Sequence, residues 1–278
     1  MMEKKIKPVV GIGLPVYNNE KYLRKLLDSI LSQTYKNIIV YISDDCSTDS
    51  TPDICEEYSS KDSRIIFTSN KNNIGANENN RKVLSLSRTE YFMFSRGHEV
   101  LSNNLIEDCL NALVENPNAV LSFSRTVWID EGDKVISHKP IGYFDTSGLD
   151  VAARCAIALW GNWDGYYGLS KTSFLKSIHA NESIIGNDTL SLFEKALAGE
   201  FVHARSSTRY RRYIYSGETY KKRIERYKKT THKNLKFIDR TFPLFRLPVY
   251  LVFAIFKSKQ KLHKKIIILY LMIVNAPI

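Results

Sequence analysis

Val9-Val10-Gly11-Ile12-Gly13-Leu14-Pro15-Val16 is an unbroken β-rich run that stops at Tyr17-Asn18-Asn19-Glu20. Leu23, Leu26, Leu27, Ile30 and Leu31 then recur at i, i+3, i+4, i+7 and i+8, one apolar helix face. A second apolar strand over residues 38–42 closes on Ser43-Asp44-Asp45-Cys46-Ser47-Thr48-Asp49. The alternation continues with helices over 52–58, 78–86 and 105–114 and strands over 65–68, 91–94 and 119–127. Apolar strands alternating with helices predict an α/β fold, a mostly parallel sheet covered by helices on both faces. Ligands in such folds bind at the carboxyl ends of the strands, where the strand order reverses. Three polar clusters fall there: Tyr17-Asn18-Asn19, Asp44-Asp45 and Ser95-Arg96-Gly97-His98-Glu99. Gly11 and Gly13 make no dinucleotide fingerprint, because no third glycine opens a helix after them.

Outward from this core the composition sets limits. The chain has 278 residues, 44% hydrophobic and 25% charged, which excludes a disordered or collagen-like protein. Its four cysteines form no Cys-x-x-Cys pair, which argues against a disulfide framework or a zinc site and suits a reducing cytosol. The net charge of +11 is unevenly spread: from Glu200 onward there are 19 Lys plus Arg against 4 Asp plus Glu. A mildly acidic body therefore carries a strongly basic tail, and the division predicts a domain over 1–215 and a basic, apolar helical extension over 216–278. Residues 1–16 have a basic start but no small-residue cleavage site. The apolar blocks 247–256 and 266–274 fall well short of the ~20 residues that cross a bilayer.

The opening strand with Tyr17-Asn18-Asn19-Glu20, the helix running to Ser32-Gln33-Thr34-Tyr35, and Asp44-Asp45-Cys46-Ser47-Thr48-Asp49 together resemble a family-2 glycosyltransferase of GT-A fold. That family's pattern is close to P-x-Y-N, S-I-L-x-Q-T-Y and D-D-x-S-x-D-x-T. Gly75, the strand over 91–94 and Gly186-Asn187-Asp188-Thr189-Leu190 resemble its later signatures, so the likeness runs from about residue 9 to residue 212. The resemblance implies transfer of a hexose from a nucleotide-sugar, with a lean to uridine and with inversion at the anomeric carbon. It puts Pro15 and Tyr17 around the base and ribose, Asp45 on the pyrimidine imide with Asp44 beside it, and Asp188 as the general base. The chemistry agrees: an inverting displacement needs a carboxylate at the attacking hydroxyl and positive charge at the departing diphosphate.

One stretch departs from the pattern. Where relatives carry Asp-x-Asp and a further acid to hold a divalent cation, this chain reads Arg96, Gly97, His98 and Glu99. Three readings stay open: His98 and Glu99 hold Mn²⁺ or Mg²⁺; Arg96, with Arg211 and Arg212, supplies the charge without a metal; or the site is inactive, in a protein that binds nucleotide, glycan or a partner transferase. Hard cations prefer oxygen ligands, and a guanidinium grips phosphate bidentately. The segment where the family often supplies a further metal-binding His reads Tyr210-Arg211-Arg212-Tyr213, and the nearest His is His203.

The remaining candidates each have a plainer reading. Asp44-Asp45 is also a turn, Asp188 also a helix N-cap, and Trp160, Trp163, Tyr166 and Tyr167 are either a sugar-stacking platform or core, with Asp164 among them. The tail sets Lys257, Lys259, Lys261, Lys264 and Lys265 beside its apolar blocks, a pattern that fits interfacial helices on an anionic membrane and argues against a nucleic-acid partner. A hairpin packed on the domain, or a dimer contact, is the other reading. The first makes the protein peripheral at the cytoplasmic face of the cell membrane, with a glycan or lipid-linked saccharide acceptor, as in surface-polysaccharide pathways.

Overall fold

The computed structural model describes residues 7–137, 144–161, 165–178, 184, 186–214 and 245–274. The elements are β1 (Val10–Val16), α1 (Glu20–Leu31), β2 (Ile38–Asp44), α2 (Thr51–Lys61), β3 (Ile65–Ser69), α3 (Ala76–Leu86), β4 (Tyr91–Phe94), β5 (Glu99–Leu101) and α4 (Leu105–Glu115). Then come β6 (Ala119–Ile129), α5 (Val151–Trp160), a 3₁₀ turn (Gly165–Tyr167), β7 (Ser170–Lys171), α6 (Thr172–Ser177), α7 (Asn187–Ala198), β8 (Glu200–Arg212), α8 (Arg246–Lys257) and α9 (Leu262–Val274).

The main sheet has the order β3-β2-β1-β4-β7, parallel except for β7. The chain first winds outward from β1 to β3, then returns to the other side of β1, so the reversal lies between β1 and β4. The helix face read from the sequence is the buried one: Leu23, Leu26, Leu27 and Ile30 of α1 are fully enclosed in the core on this sheet. Each such side chain contributes about 1.5–3 kcal/mol when buried. A Cβ on Gly13 would sit 2.4 Å from the Phe92 ring and 2.5 Å from Val83. This glycine lets β4 and α3 close onto β1.

The expected fifth strand exists but joins another sheet. β6 pairs in parallel with β8, and β5 pairs antiparallel with β8, giving the order β5-β8-β6. A second core forms where α5, α7, α8 and α9 meet, through Cys155, Phe193, Leu251, Ile255 and Ile268. Every residue of α7 from Leu190 to Leu197 is buried. The inner faces of α8 and α9 thus finish the domain core, as the packed-hairpin reading expects, and the 215/216 boundary lies outside the described residues. No helix among the described residues is long and apolar enough to cross a membrane. The four cysteines are free thiols, and burial pushes Cys55, Cys109 and Cys155 up to about 12.

Candidate functional site

The loops after β1 and β2 are stitched to each other. Asn18 N–H donates to Ser47 Oγ at 2.9 Å, and Thr48 N–H donates to Asn18 Oδ1 at 2.9 Å. Asn19 N–H donates to Thr51 Oγ1 at 2.7 Å, Glu20 N–H to Asp49 Oδ2 at 3.2 Å, and Ser50 N–H returns to Glu20 Oε2 at 2.9 Å. These bonds use donors at the starts of α1 and α2 that no helix carbonyl can reach. Burial pulls Asp49 upward, but its bonds from Thr51 and the Glu20 amide win and hold it below its ordinary value. Much of the D-D-x-S-x-D-x-T pattern is therefore scaffolding. Asp44 belongs to it: fully buried, it accepts from Ser47 N–H and Oγ–H and from Ser69 Oγ–H. That corrects its expected place at a nucleotide, because no face of it is open to a ligand.

Asp45, 2% exposed, is nearly as enclosed and holds the next loop. Its carboxylate accepts from Asn70 Nδ2 (3.0 Å), Ile74 N–H (2.7 Å) and Gly75 N–H (2.9 Å). A carboxylate has about four acceptor sites, so this oriented group keeps one. Pro15 and the half-exposed Tyr17 lie beside it, since Asp45 N–H donates to Val16 O at 2.9 Å. The structure thus gathers Pro15, Tyr17 and Asp45 at the ends of two neighbouring strands.

The loop after β4 leans on this region. A Cβ on Gly97 would lie 2.6 Å from Asn19 Cγ, so only glycine fits without displacing the stitch. Arg96 lies flat over the Tyr167 ring, its Cζ 4.0 Å from the centroid, and its Nε donates to Tyr167 Oη at 2.5 Å. Glu99 opens β5, and strand alternation turns Glu99 and Leu101 inward. Its Oε2 accepts from Arg209 Nη1 at 2.8 Å, Ser95 Oγ at 3.0 Å and Arg96 N–H at 3.2 Å. Burial raises its pKa, but Arg209, Arg96 and His98 outweigh that and leave it lowered. His98 is half-buried, and burial lowers it, with Arg96, Arg211 and Arg212 acting the same way against Glu99. Arg211 sits over Trp128 at 4.6 Å. Arg212, expected at a diphosphate, is buried instead against the Tyr22 ring, the Asp130 carbonyl and the Asp133 carboxylate. It faces the opposite side of β8 from Arg209 and Arg211.

Asp188 is exposed on the first turn of α7, with Thr189 N–H donating to its Oδ1 at 2.9 Å. Burial raises the Tyr166 phenol, with Asp188 acting in the same sense and Arg96 against it. Tyr166 stacks on Phe94 at 5.8 Å and meets Tyr167 edge-on at 5.0 Å. Those two tyrosines are partly buried and pack against the core cluster around Phe92 and Phe94; Trp160 is 43% exposed, and Trp163 and Asp164 lie outside the described residues. Beside Asn187, a pocket of about 20 Å³ is lined by Asn77, Arg81, Leu84, Phe94, Tyr166 and Lys195, room for roughly one water.

The profile of glycosyl transferase family 2 matches residues 12–173. The chain belongs to glycosyl transferase family 2. This family-2 chain is 36% identical over 106 residues to "Glycosyltransferase GlyA" of Streptococcus pneumoniae, covering 38% of this chain and 15% of that protein. It is 28% identical over 134 residues to "Minor teichoic acid biosynthesis protein GgaB" of Bacillus subtilis, covering 48% of this chain and 15% of that one. The chain thus spans only a small part of the length of these two relatives. In fold it is similar to S. aureus TarS 1–349 crystallised with UDP-GlcNAc, with TM-score 0.69, 18% identity, 94% of this chain and 70% of that chain.

A family-2 fold implies a divalent cation at the β4 loop, and the residues present do not fit one. Glu99, the single carboxylate there, is buried and already neutralised by Arg209; its Oε1 has no partner. Guanidinium groups crowd the approach, and among the described residues no three His, Cys, Asp or Glu side chains converge. Pairing with β8 turns the Glu99 carboxylate of the expected His98–Glu99 pair toward Arg209. Sequence reasoning missed Arg209 and Lys195. Lys195 had a signal, since Asp188, Ser191 and Lys195 stand at i, i+3 and i+7 on one face of α7. Arg209 had none short of knowing the β5–β8 pairing.

Proposed function

We propose that this family-2 protein is an inverting glycosyltransferase that takes a hexose from a uridine-diphosphate donor and requires no metal. The observation that carries the reading is the exposed carboxylate of Asp188 on the first turn of α7, in a chain whose β4 loop presents the Arg96 guanidinium over the Tyr167 ring. The base and ribose lie over Pro15 and Tyr17, and the imide N–H donates to the acceptor site that Asp45 retains. Arg96 and Arg211 meet the diphosphate. The acceptor hydroxyl gives its proton to Asp188 as its oxygen attacks the anomeric carbon from the face opposite the diphosphate. The carbon–oxygen bond to the diphosphate breaks, and the nucleoside diphosphate leaves with the electron pair, its new charge balanced by the arginines. TarS crystallised with UDP-GlcNAc supports the donor class, and GgaB supports an acceptor in surface-polymer biosynthesis, a glycan or lipid-linked saccharide. The protein works at the cytoplasmic face of the cell membrane.

Calorimetric titration with UDP, GDP, CDP and dTDP, each with Mn²⁺ and again with a chelator, tests this. UDP binding that survives the chelator is the expected result; binding only with Mn²⁺ overturns the metal-free site. Asp188→Asn should bind UDP normally and lose transfer by roughly 10²–10⁴-fold. The Arg-Gly-His-Glu loop also favours a second reading, a non-catalytic binding protein, and failure of all four nucleotides to bind would select it.

A further inference from the structure

Among the described residues, exposed large apolar side chains concentrate on the outside of α8 and α9. Val249, Phe253, Phe256, Ile266, Tyr270 and Ile273 are each more than half exposed. Their spacings of three and four residues put them on one face of each helix. Both helices pack by their other faces, α8 on α7 and α9 on α5, through Leu251, Ala254, Ile255 and Ile268. The exposed rows therefore look away from the domain, on two helices that also contact each other. Scattered apolar residues on a protein surface need no explanation, but a contiguous patch of this kind marks an interaction site.

Charge decides what covers it. Residues 245–274 contain Arg246, Lys257, Lys259, Lys261, Lys264 and Lys265 and not one Asp or Glu. Lys257, Lys259 and Lys261 are exposed where the two helices join, at the rim of the apolar rows. Lys264 is paired with Asp150 at the start of α5, and a second copy packed by this same face would bring the same Lys257, Lys259 and Lys261 against them. A nucleic acid would leave the aromatic and aliphatic rows in water. An anionic bilayer satisfies both parts, with acyl chains against the apolar rows and phosphate headgroups against the lysines. Neither helix is long and apolar enough to span, so each lies in the plane.

We infer that α8 and α9 form a monotopic platform that seats the protein on an anionic lipid surface. The platform also touches the site. Leu247, in the first turn of α8, packs where a Cβ on Gly186 would be, 2.8 Å away, two residues before Asp188. Seating by this face would hold the first turn of α7 close to the membrane surface. The inference stands whether or not the site is catalytic.

Co-sedimentation of the full chain with vesicles tests it, using phosphatidylcholine alone and three parts phosphatidylglycerol to seven of phosphatidylcholine. The protein should pellet with the anionic vesicles at least tenfold more tightly than with the neutral ones. Each lysine near such a surface is worth about 1 kcal/mol, roughly fivefold, so Lys257→Gln/Lys259→Gln/Lys261→Gln should weaken binding about a hundredfold. Phe256→Asp/Ile273→Asp changes only outward residues; it should lose vesicle binding while keeping the wild-type melting temperature and nucleotide affinity. Wild-type protein that stays in the supernatant, equal binding to both vesicles, or undiminished binding by the double Asp variant each overturns the inference. So does a wild-type dimer by light scattering that Phe256→Asp splits, which would make the face a contact between copies.

Discussion

Lys195 is a cation placed where a cation is costly. It is 2% exposed, its Nζ lies 5.5 Å from the Tyr166 ring centroid, and burial lowers its pKa from 10.5 to about 7, with Glu194 opposing. Between about pH 7 and 10.5 the unfolded chain holds this proton and the folded chain does not, so the term makes stability rise with pH across that window. Below it the full cost of charging a buried amine applies. Lys195→Met should therefore stabilise the protein by a few kcal/mol near pH 6, on the order of the shift itself, with the gain shrinking toward zero as pH approaches 10. Urea unfolding of both proteins across that range reads it out; a gain that does not change with pH would mean the lysine keeps its proton in the fold. Single residues were the hardest thing to read from the sequence. Glu99 stands at a ligand position by alignment, yet its role follows from pairing with a strand more than a hundred residues away. Asp45 and Asp188 were singled out by the family resemblance, and the structure puts one just after a strand and the other in the first turn of a helix.

At the scale of elements, most of the fold was open to a period count. β1 to β4 and α1 to α4 follow runs of apolar residues spaced by two, by none or by three and four, and these spacings are local. β8 was not legible in this way. Arg209 and Arg212 occupy buried positions in it, satisfied by Glu99 and by the Asp130–Asp133 turn, so polar residues sit where a strand pattern would show apolar ones. α7 is enclosed from Leu190 to Leu197, and α8 and α9 share its core. The stitch between the β1–α1 and β2–α2 loops is another element-scale property. Thr51→Val removes the acceptor for Asn19 N–H and should cost about 1–2 kcal/mol in stability. Because the stitch positions Tyr17 and Asp45 together, UDP affinity should fall with it; unchanged affinity in a destabilised variant would separate the loop's structural part from its binding part.

The whole molecule has one feature that composition foretold only in outline. The basic tail was legible as charge, and its apolar blocks as helices, but their double use was not, because inward and outward faces of α8 and α9 are both apolar. Leu251, Ala254, Ile255 and Ile268 are part of the core rather than an appendage. A chain truncated before Arg246 should thus be aggregation-prone or unfold several kcal/mol more easily, each uncovered large side chain costing about 1.5–3 kcal/mol. A soluble truncated domain with the melting temperature of the full chain would contradict this.

The enclosure of α7 also bears on how the chain is made. During synthesis the strands and helices of the main sheet emerge first and have their neighbours close at hand. α7 emerges with β8 but must wait for α8 and α9, which leave the ribosome long afterwards. Its apolar side would meanwhile be exposed. The first half of this protein can fold as it is translated, whereas the helix bearing Asp188 becomes secure only when the last helices arrive.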